Sequence, residues 1–170
     1  CTMLKLDLTR TNDVLSLVRK IKPSAIIHCA AMTDVDGCQS NPTLAWQTNV
    51  YATENIVAAA KDAGAKCIYT STDAVFEGTK GLYKEEDQTH PLSVYAKTKF
   101  QAEQVVLSTM KNSLVSRTCI YGWSSGVKKS FGEWVYQGFI EKKSLSMFTD
   151  VFFTPILAND LSEILLNAAP

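Results

Sequence analysis

Short runs rich in β-branched and apolar residues alternate with longer stretches of helical period, and this order constrains the fold more than any other feature of the chain. Alternation of this kind marks βαβ units built on a parallel sheet, because parallel neighbours need a crossover that usually contains a helix. The pattern predicts strands at Met3–Leu6, Ala25–Cys29, Cys67–Ser71, Leu114–Arg117 and Leu145–Phe148. It predicts helices near Asp13–Ile21, Pro42–Ala63, Val94–Met110, Phe131–Glu141 and Asp160–Ala168. The second helix has the clearest ends: Asn41 can cap it, Pro42 suits its first position, and Gly64 suits the left-handed residue that stops it. The 170 residues fit a single α/β domain, a doubly wound parallel sheet with flanking helices.

Composition narrows the function classes. With 46% hydrophobic and 20% charged residues the chain has enough apolar material for a core, which excludes disorder. Its 17 Lys and Arg are balanced by 17 Asp and Glu, so no basic field exists to hold a phosphate backbone, and nucleic acid is excluded as a partner. No apolar run reaches the roughly 18–20 residues of a membrane span. The first residues, Cys-Thr-Met-Leu-Lys-Leu-Asp, lack the charged-then-apolar order of a signal peptide, so a cytoplasmic location is expected. The cysteines are Cys1, Cys29, Cys38, Cys67 and Cys119, an odd number without a C-x-x-C pair. Neither a disulfide framework nor a metal site is suggested, and those in apolar strand-like runs, such as Cys29 and Cys67, are expected to be buried free thiols.

In open α/β sheets ligands bind beyond the carboxyl ends of the strands, so the residues that follow strands carry the functional argument. None of the eight glycines stands at G-x-G spacing, and Gly78 and Gly81 lie in a polar loop where they indicate only a turn. The longest loops are Thr72–Ser93 and Gly122–Ser130. Tyr95 and Lys99, four apart at the start of a helix that follows Pro91, share a face about 40° wide and can reach a common ligand. A phenol that titrates near 10 is a poor acid at neutral pH, and a cation about 4 Å away contributes on the order of 4 kcal/mol at an effective dielectric of 20. Lys99 suits that role. Ser71-Thr72-Asp73 follows the strand Cys67-Ile68-Tyr69-Thr70, where Thr72 either donates to a ligand carbonyl or simply caps the next turn. Asn49 shares a helix face with Ala45, Ala52 and Ile56, a face that should be buried, so its amide either bonds local backbone or supports a site. Ala30 and Ala31 are small residues at another strand end, where a flat ligand could approach the backbone. His28 reads as a core histidine. Trp46, Tyr51 and Trp134 read as packing residues, since no basic patch accompanies them.

Together these segments resemble the extended short-chain dehydrogenase/reductases, and within them the dTDP-4-dehydrorhamnose reductase branch. The matching stretches are Leu6-Asp7-Leu8-Thr9, Ala25 to Asp36, Asn49, Ser71-Thr72-Asp73-Ala74-Val75-Phe76-Glu77-Gly78, Pro91 to Lys99, Arg117 to Gly122, and Thr154-Pro155. The resemblance implies a Rossmann-like fold and a reductase in which NADH or NADPH delivers hydride to the 4-ketone of a nucleotide-linked sugar. Tyr95 would be the general acid. Lys99 would lower the tyrosine pKa and bind the nicotinamide ribose, Thr72 would orient the carbonyl, and Asn49 would support the proton-relay region. Asp7 and Leu8 match positions near the adenine, while Ala30, Ala31 and Met32 match contacts to the ribose and pyrophosphate. A homodimer through the helices 42–63 and 94–110 is implied as well. The family places a strand, a G-x-x-G-x-x-G turn and a helix ahead of the matched region and continues past Pro170, so the chain reads as a piece truncated at its N-terminus, with residues 122–170 contributing to the substrate-binding region. Departures from the family pattern are Ala74, where an aromatic is usual, and Cys119-Ile120, where a tryptophan is frequent; both bear on which sugar is bound. The same branch includes the non-catalytic regulatory subunit of methionine adenosyltransferase, and the wider superfamily includes nucleotide-sugar epimerases and dehydratases, as alternative functions.

Overall fold

A computed structural model describes residues 2–124 and 130–170, arranged as two compact units. The first contains the described residues through Arg117 with Ala169–Pro170, and the second is Thr118–Ala168. Most of the expected loop Gly122–Ser130, and Cys1, lie outside the described residues.

The first unit follows the expected alternation: α1 (Thr11–Ile21), β1 (Ala25–His28), α2 (Val35–Ser40), α3 (Pro42–Trp46), a π turn (Gln47–Tyr51), α4 (Ala52–Ala63), β2 (Lys66–Ser71), a 3₁₀ turn (Asp73–Val75), α5 (Val94–Thr109) and β3 (Ser113–Arg117). The strands form one parallel sheet in the order β1-β2-β3. Register places Ile26 beside Cys67 and Tyr69 beside Val115, and these four side chains belong to the face on which the helices pack. Val14 and Val18 of α1, Ile56, Val57, Ala59 and Ala60 of α4, and Ala102 and Val106 of α5 complete that core. Alanines at 59, 60 and 102 let the helices approach the sheet and one another closely, and β2, the central strand, is buried almost throughout. This is a Rossmann-like α/β arrangement of parallel strands and flanking helices.

The ends of the long middle helix follow from local chemistry. The Asn41 side chain accepts from the Leu44 N–H at 3.1 Å, Pro42 opens the first turn, and Gly64 takes a left-handed φ of 67° while its N–H returns to Lys61. The expected single helix Pro42–Ala63 is nonetheless interrupted. At Gln47–Tyr51 the backbone widens, so that the Ala52 N–H reaches the Gln47 carbonyl five residues back. The Thr53 hydroxyl meanwhile donates to the Asn49 carbonyl at 2.7 Å. A hydroxyl that takes a helical carbonyl in this way relaxes the ladder locally, and such widened turns recur at functional sites.

Other expectations are corrected. Met3–Leu6 forms no strand: it runs without a ladder partner, with Met3 and Leu4 exposed and Leu6 packed on the core. Leu145–Phe148 is also no strand, because Leu145 folds onto α6 instead while Met147 and Phe148 face solvent. Cys67 is buried as expected, whereas Cys29, one residue beyond β1, is exposed. Tyr51 and Trp134 are exposed as well, so they do not act as core packing within this chain. The helix α2 and the strands of the second unit, too short to show a clear period, were not anticipated.

A buried ion pair joins α5 to β3. Glu103 on α5 is fully buried and accepts from Arg117 of β3 through Nε at 3.1 and 3.2 Å and through Nη2 at 2.8 Å. Arg117 Nη1 also donates to the Glu85 carbonyl, and its guanidinium lies 5.1 Å from the centre of the Phe76 ring. The loop that follows β2 is thereby fastened to α5.

The second unit pairs β4 (Cys119–Tyr121) in parallel with β5 (Pro155–Leu157). Its α6 (Phe131–Ile140) begins with a capping box between Ser130 and Glu133. Gly138 is buried against Leu145, and a Cβ there would stand 2.7 Å from the leucine methyls, which explains glycine inside a helix. A last helix, α7 (Ala158–Asn167), buries Leu161 and Leu165.

Two stability predictions follow from this packing. Ile56→Asp places an unpaired charge in the core cluster and should cost about 3–5 kcal/mol, read as a drop in denaturant midpoint; an unchanged midpoint would mean that this face of α4 is not load-carrying. His28 is buried, with Nε2 3.0 Å from the Thr53 hydroxyl, and burial, reinforced by the Lys99 charge, pushes its pKa down to about 4. The unfolded chain therefore binds the proton first, so stability should be complete above pH 6.5 and decline towards pH 4, by on the order of 3 kcal/mol. Urea titrations across that window should show a steeper decline for the parent than for His28→Leu, and equal slopes would refute the assignment.

Candidate active site

Of the residues singled out by sequence, Ala30, Ala31, Met32, Asn49, Thr72, Tyr95 and Lys99 belong to the carboxyl ends of β1 and β2, the turn before α4 and the first turns of α5. Ser93 caps α5 by accepting from the Ala96 N–H at 3.1 Å, which sets Tyr95 and Lys99 in its first two turns. Tyr95 is half-buried, and its carbonyl accepts the Thr98 hydroxyl at 2.8 Å. Lys99 is 3% exposed, and its ammonium donates to the Thr70 carbonyl at 2.7 Å. Burial lowers the Lys99 pKa to about 8, with Cys29 and Glu103 acting in the opposite direction. An ammonium has three N–H donors, so the bond to Thr70 leaves capacity for a ligand at the strand end.

Asn49 is also buried, and its amide is fully used. Its Oδ1 accepts from the Met32 N–H at 2.7 Å, and its Nδ2 donates to the Met32 carbonyl at 3.1 Å and to the Thr98 hydroxyl at 2.9 Å. The side chain thus imitates a neighbouring strand for the Ala30-Ala31-Met32 segment and ties it to the turn that carries Tyr95. The backbone that Asn49 bonds is not local: Met32 lies 17 residues earlier in the chain, in the segment that follows β1.

Thr72 caps the 3₁₀ turn. Its hydroxyl accepts from the Ala74 N–H and donates to the Asp73 carboxylate, both at 3.2 Å. The donation is long for an O–H···O bond, so the proton can be redirected to a better acceptor at small cost. Ser71, the preceding residue, is buried with a hydroxyl that has no hydrogen-bond partner among the described residues. A buried orphan hydroxyl and an ammonium with spare donors, beside the small side chains of Ala30 and Ala31, suit a polar, flat ligand of the dinucleotide kind.

Asp7 and Leu8 stand apart from this cluster. Asp7 is exposed, and the Thr9 hydroxyl and N–H hold its carboxyl below the ordinary carboxylate range. The Leu8 carbonyl accepts from Asn55 Nδ2 at 2.9 Å, which fixes the segment against α4. No hydrogen bond joins either residue to Thr72, Tyr95 or Lys99 among those described. Two contributors escaped sequence reasoning. Tyr69 has its ring 4.2 Å from the Lys99 ammonium, and Glu103 lies one turn beyond Lys99. The available signals were the alternation of Cys67 and Tyr69 on one strand face and a carboxylate between Ala102 and Val106 on an apolar helix face.

No described helix is long and apolar enough to cross a membrane. Among known proteins, the chain is similar to dTDP-4-dehydrorhamnose reductases and to methionine adenosyltransferase subunits. It is 34% identical over 164 residues to the dTDP-4-dehydrorhamnose reductase of Salmonella typhimurium, covering 95% of this chain and 54% of that one. It is 42% identical over 118 residues to methionine adenosyltransferase 2 subunit beta of Xenopus laevis, covering 69% of this chain and 35% of that one. The solved structure of dTDP-4-dehydrorhamnose reductase from Bacillus anthracis, in complex with NADP, superposes with a TM-score of 0.88 at 30% identity, over 95% of this chain and 57% of that one. The chain thus spans about half the length of the reductases it matches. The family model described as the RmlD substrate binding domain matches residues 1–170, and the chain belongs to that family.

Proposed function

We propose that the protein containing this chain is an NADPH- or NADH-dependent reductase of a nucleotide-linked 4-keto sugar, with Tyr95 as general acid. The observation that carries this reading is Lys99: an ammonium 3% exposed, hydrogen-bonded at the carboxyl end of β2 and one turn from a half-buried tyrosine on the same helix. A nicotinamide cofactor supplies the hydride when bound. Lys99 would hold the nicotinamide ribose with its spare N–H donors, and its charge favours the ionised form of Tyr95, which makes the phenol a better acid. Thr72 turns its hydroxyl from Asp73 to the substrate carbonyl and orients it. Tyr95 gives its proton to that oxygen as the carbonyl is reduced. Asn49 keeps the Met32 backbone and the Tyr95 turn in register. Ala30, Ala31 and Met32 would hold the cofactor's ribose and pyrophosphate, and Asp7 and Leu8 its adenine. A homodimer through helices 42–63 and 94–110 belongs to the same reading, supported by the exposed Leu44, Tyr51 and Leu107 on those helices.

A second reading, a regulatory subunit of methionine adenosyltransferase, is favoured by the 42% identity to such a subunit. The two separate on turnover of a keto sugar.

NADPH oxidation with dTDP-4-dehydrorhamnose should be measurable with the intact protein, and Tyr95→Phe should lower kcat by roughly 10²–10⁴. Equal rates would overturn the role of Tyr95, and stable capture of a methionine adenosyltransferase without turnover would favour the second reading. Lys99 carries its charge below about pH 8 and loses it above, so the parent rate should fall through that pH. Lys99→Met should lose this limb, raise the kinetic pKa of the acid and raise the cofactor KM; an unchanged pH–rate profile would contradict the assignment.

A further inference from the structure

The mechanism requires a charged lysine at a place where water cannot support one. Burial opposes the charge, and the Thr70 carbonyl meets only one of its three N–H groups. The charged and titratable groups around Lys99 come from three elements: His28 and Cys29 from β1 and its end, Tyr69 from β2, and Tyr95 and Glu103 from α5. His28 is held neutral near physiological pH, and Glu103 already shares its charge with Arg117 through three hydrogen bonds. Tyr69 offers something different. The Lys99 ammonium lies 4.2 Å from the centre of its ring, within the range of a cation–π contact, and both side chains are almost fully buried.

The phenol itself explains little about why tyrosine stands there. Its hydroxyl is buried beside Thr53, whose own proton goes to the Asn49 carbonyl, so the contact open to the phenol is donation to the Thr53 oxygen, which does not involve the Lys99 ammonium. Burial, with Tyr95 and Glu103 adding to it, pushes the Tyr69 pKa upward, so the group stays neutral. What remains is the ring face, whose negative quadrupole is directed at a cation in a site of low dielectric, where such contacts are strongest. We propose that Tyr69 is a positioning residue for Lys99: its ring face, not its hydroxyl, keeps the ammonium charged and in place beneath the strand end, and through it sets the acidity of Tyr95. This inference rests on the role given to Lys99 above.

The test reads Lys99 directly. Intact protein is prepared with lysine isotope-labelled at Cε, and the Lys99 resonance, assigned by its loss in Lys99→Arg, is followed against pH without substrate. Tyr69→Phe keeps the ring and should titrate with the parent. Tyr69→Leu removes the ring and should lower the Lys99 pKa by about one pH unit. Because leucine also changes the packing, trifluorophenylalanine at position 69 is the decisive comparison: it keeps the shape of phenylalanine and drains the negative face, and should lower the Lys99 pKa in the same direction. The alkaline limb of the kcat profile should move with the resonance. A trifluorophenylalanine protein that titrates with Tyr69→Phe overturns the inference, as does a Tyr69→Phe protein that titrates with Tyr69→Leu, since the hydroxyl would then be the active part. If the resonance responds as expected while Lys99→Met turns over normally, the link from Lys99 to Tyr95 falls and with it the reading of the reaction, whereas the effect of the ring on the ammonium stands.

Discussion

The carboxamide of Asn49 is the constraint from which the site takes its shape. Three segments that share no backbone ladder meet on it: the stretch after β1, the widened turn before α4, and the first turns of α5. Each polar atom of the amide has a partner, so the group makes the contacts that a strand would otherwise make, at a point where no strand could reach. A buried amide with any of these partners missing would cost about 1–3 kcal/mol, which is why it selects one arrangement of the three segments. The widened turn belongs to the same device. By letting Thr53 take the Asn49 carbonyl, the helix gains the extra residue that turns the amide towards Met32.

Around this frame the structure places a cation where its own folding would prefer none. Burial lowers the Lys99 pKa to about 8, so near neutral pH the folded chain holds a charge that the unfolded chain would solvate more easily. The Thr70 carbonyl and the Tyr69 ring offset part of that cost, together with Cys29 and Glu103. Groups of this sort concentrate at functional sites, where stability is given up to shift the ionisation of a neighbour.

Much of this was legible in the residues. The period changes marked α1, β1, β2, α5 and β3 in the first unit, and Asn41, Pro42 and Gly64 marked the ends of the middle helix because caps are local chemistry. Tyr95, Lys99, Thr72 and Asn49 were visible because sheet topology puts ligand groups beyond strand ends and because an amide on an apolar face demands an explanation. Less legible was whatever depends on partners far along the chain. Met3–Leu6 has strand composition, yet a strand needs a neighbour to pair with. Leu145–Phe148 was misassigned because Leu145 packs on a helical glycine, a contact that no period announces. Tyr69 passed as an ordinary strand aromatic, since nothing local says that an ammonium from α5 lies over its ring.

The pairing of Glu103 with Arg117 has a consequence for how such a chain can change over generations. Neither residue can be replaced alone without leaving the other as an unanswered charge, a cost of about 3–5 kcal/mol and a large share of the stability of a domain this size. Replacing both by apolar residues of similar volume is often neutral. The two positions, 14 apart in sequence, are therefore inherited as one unit, separated from the apolar alternative by a valley that single steps do not cross. The tether between α5 and the loop after β2 passes on intact or disappears in a paired event.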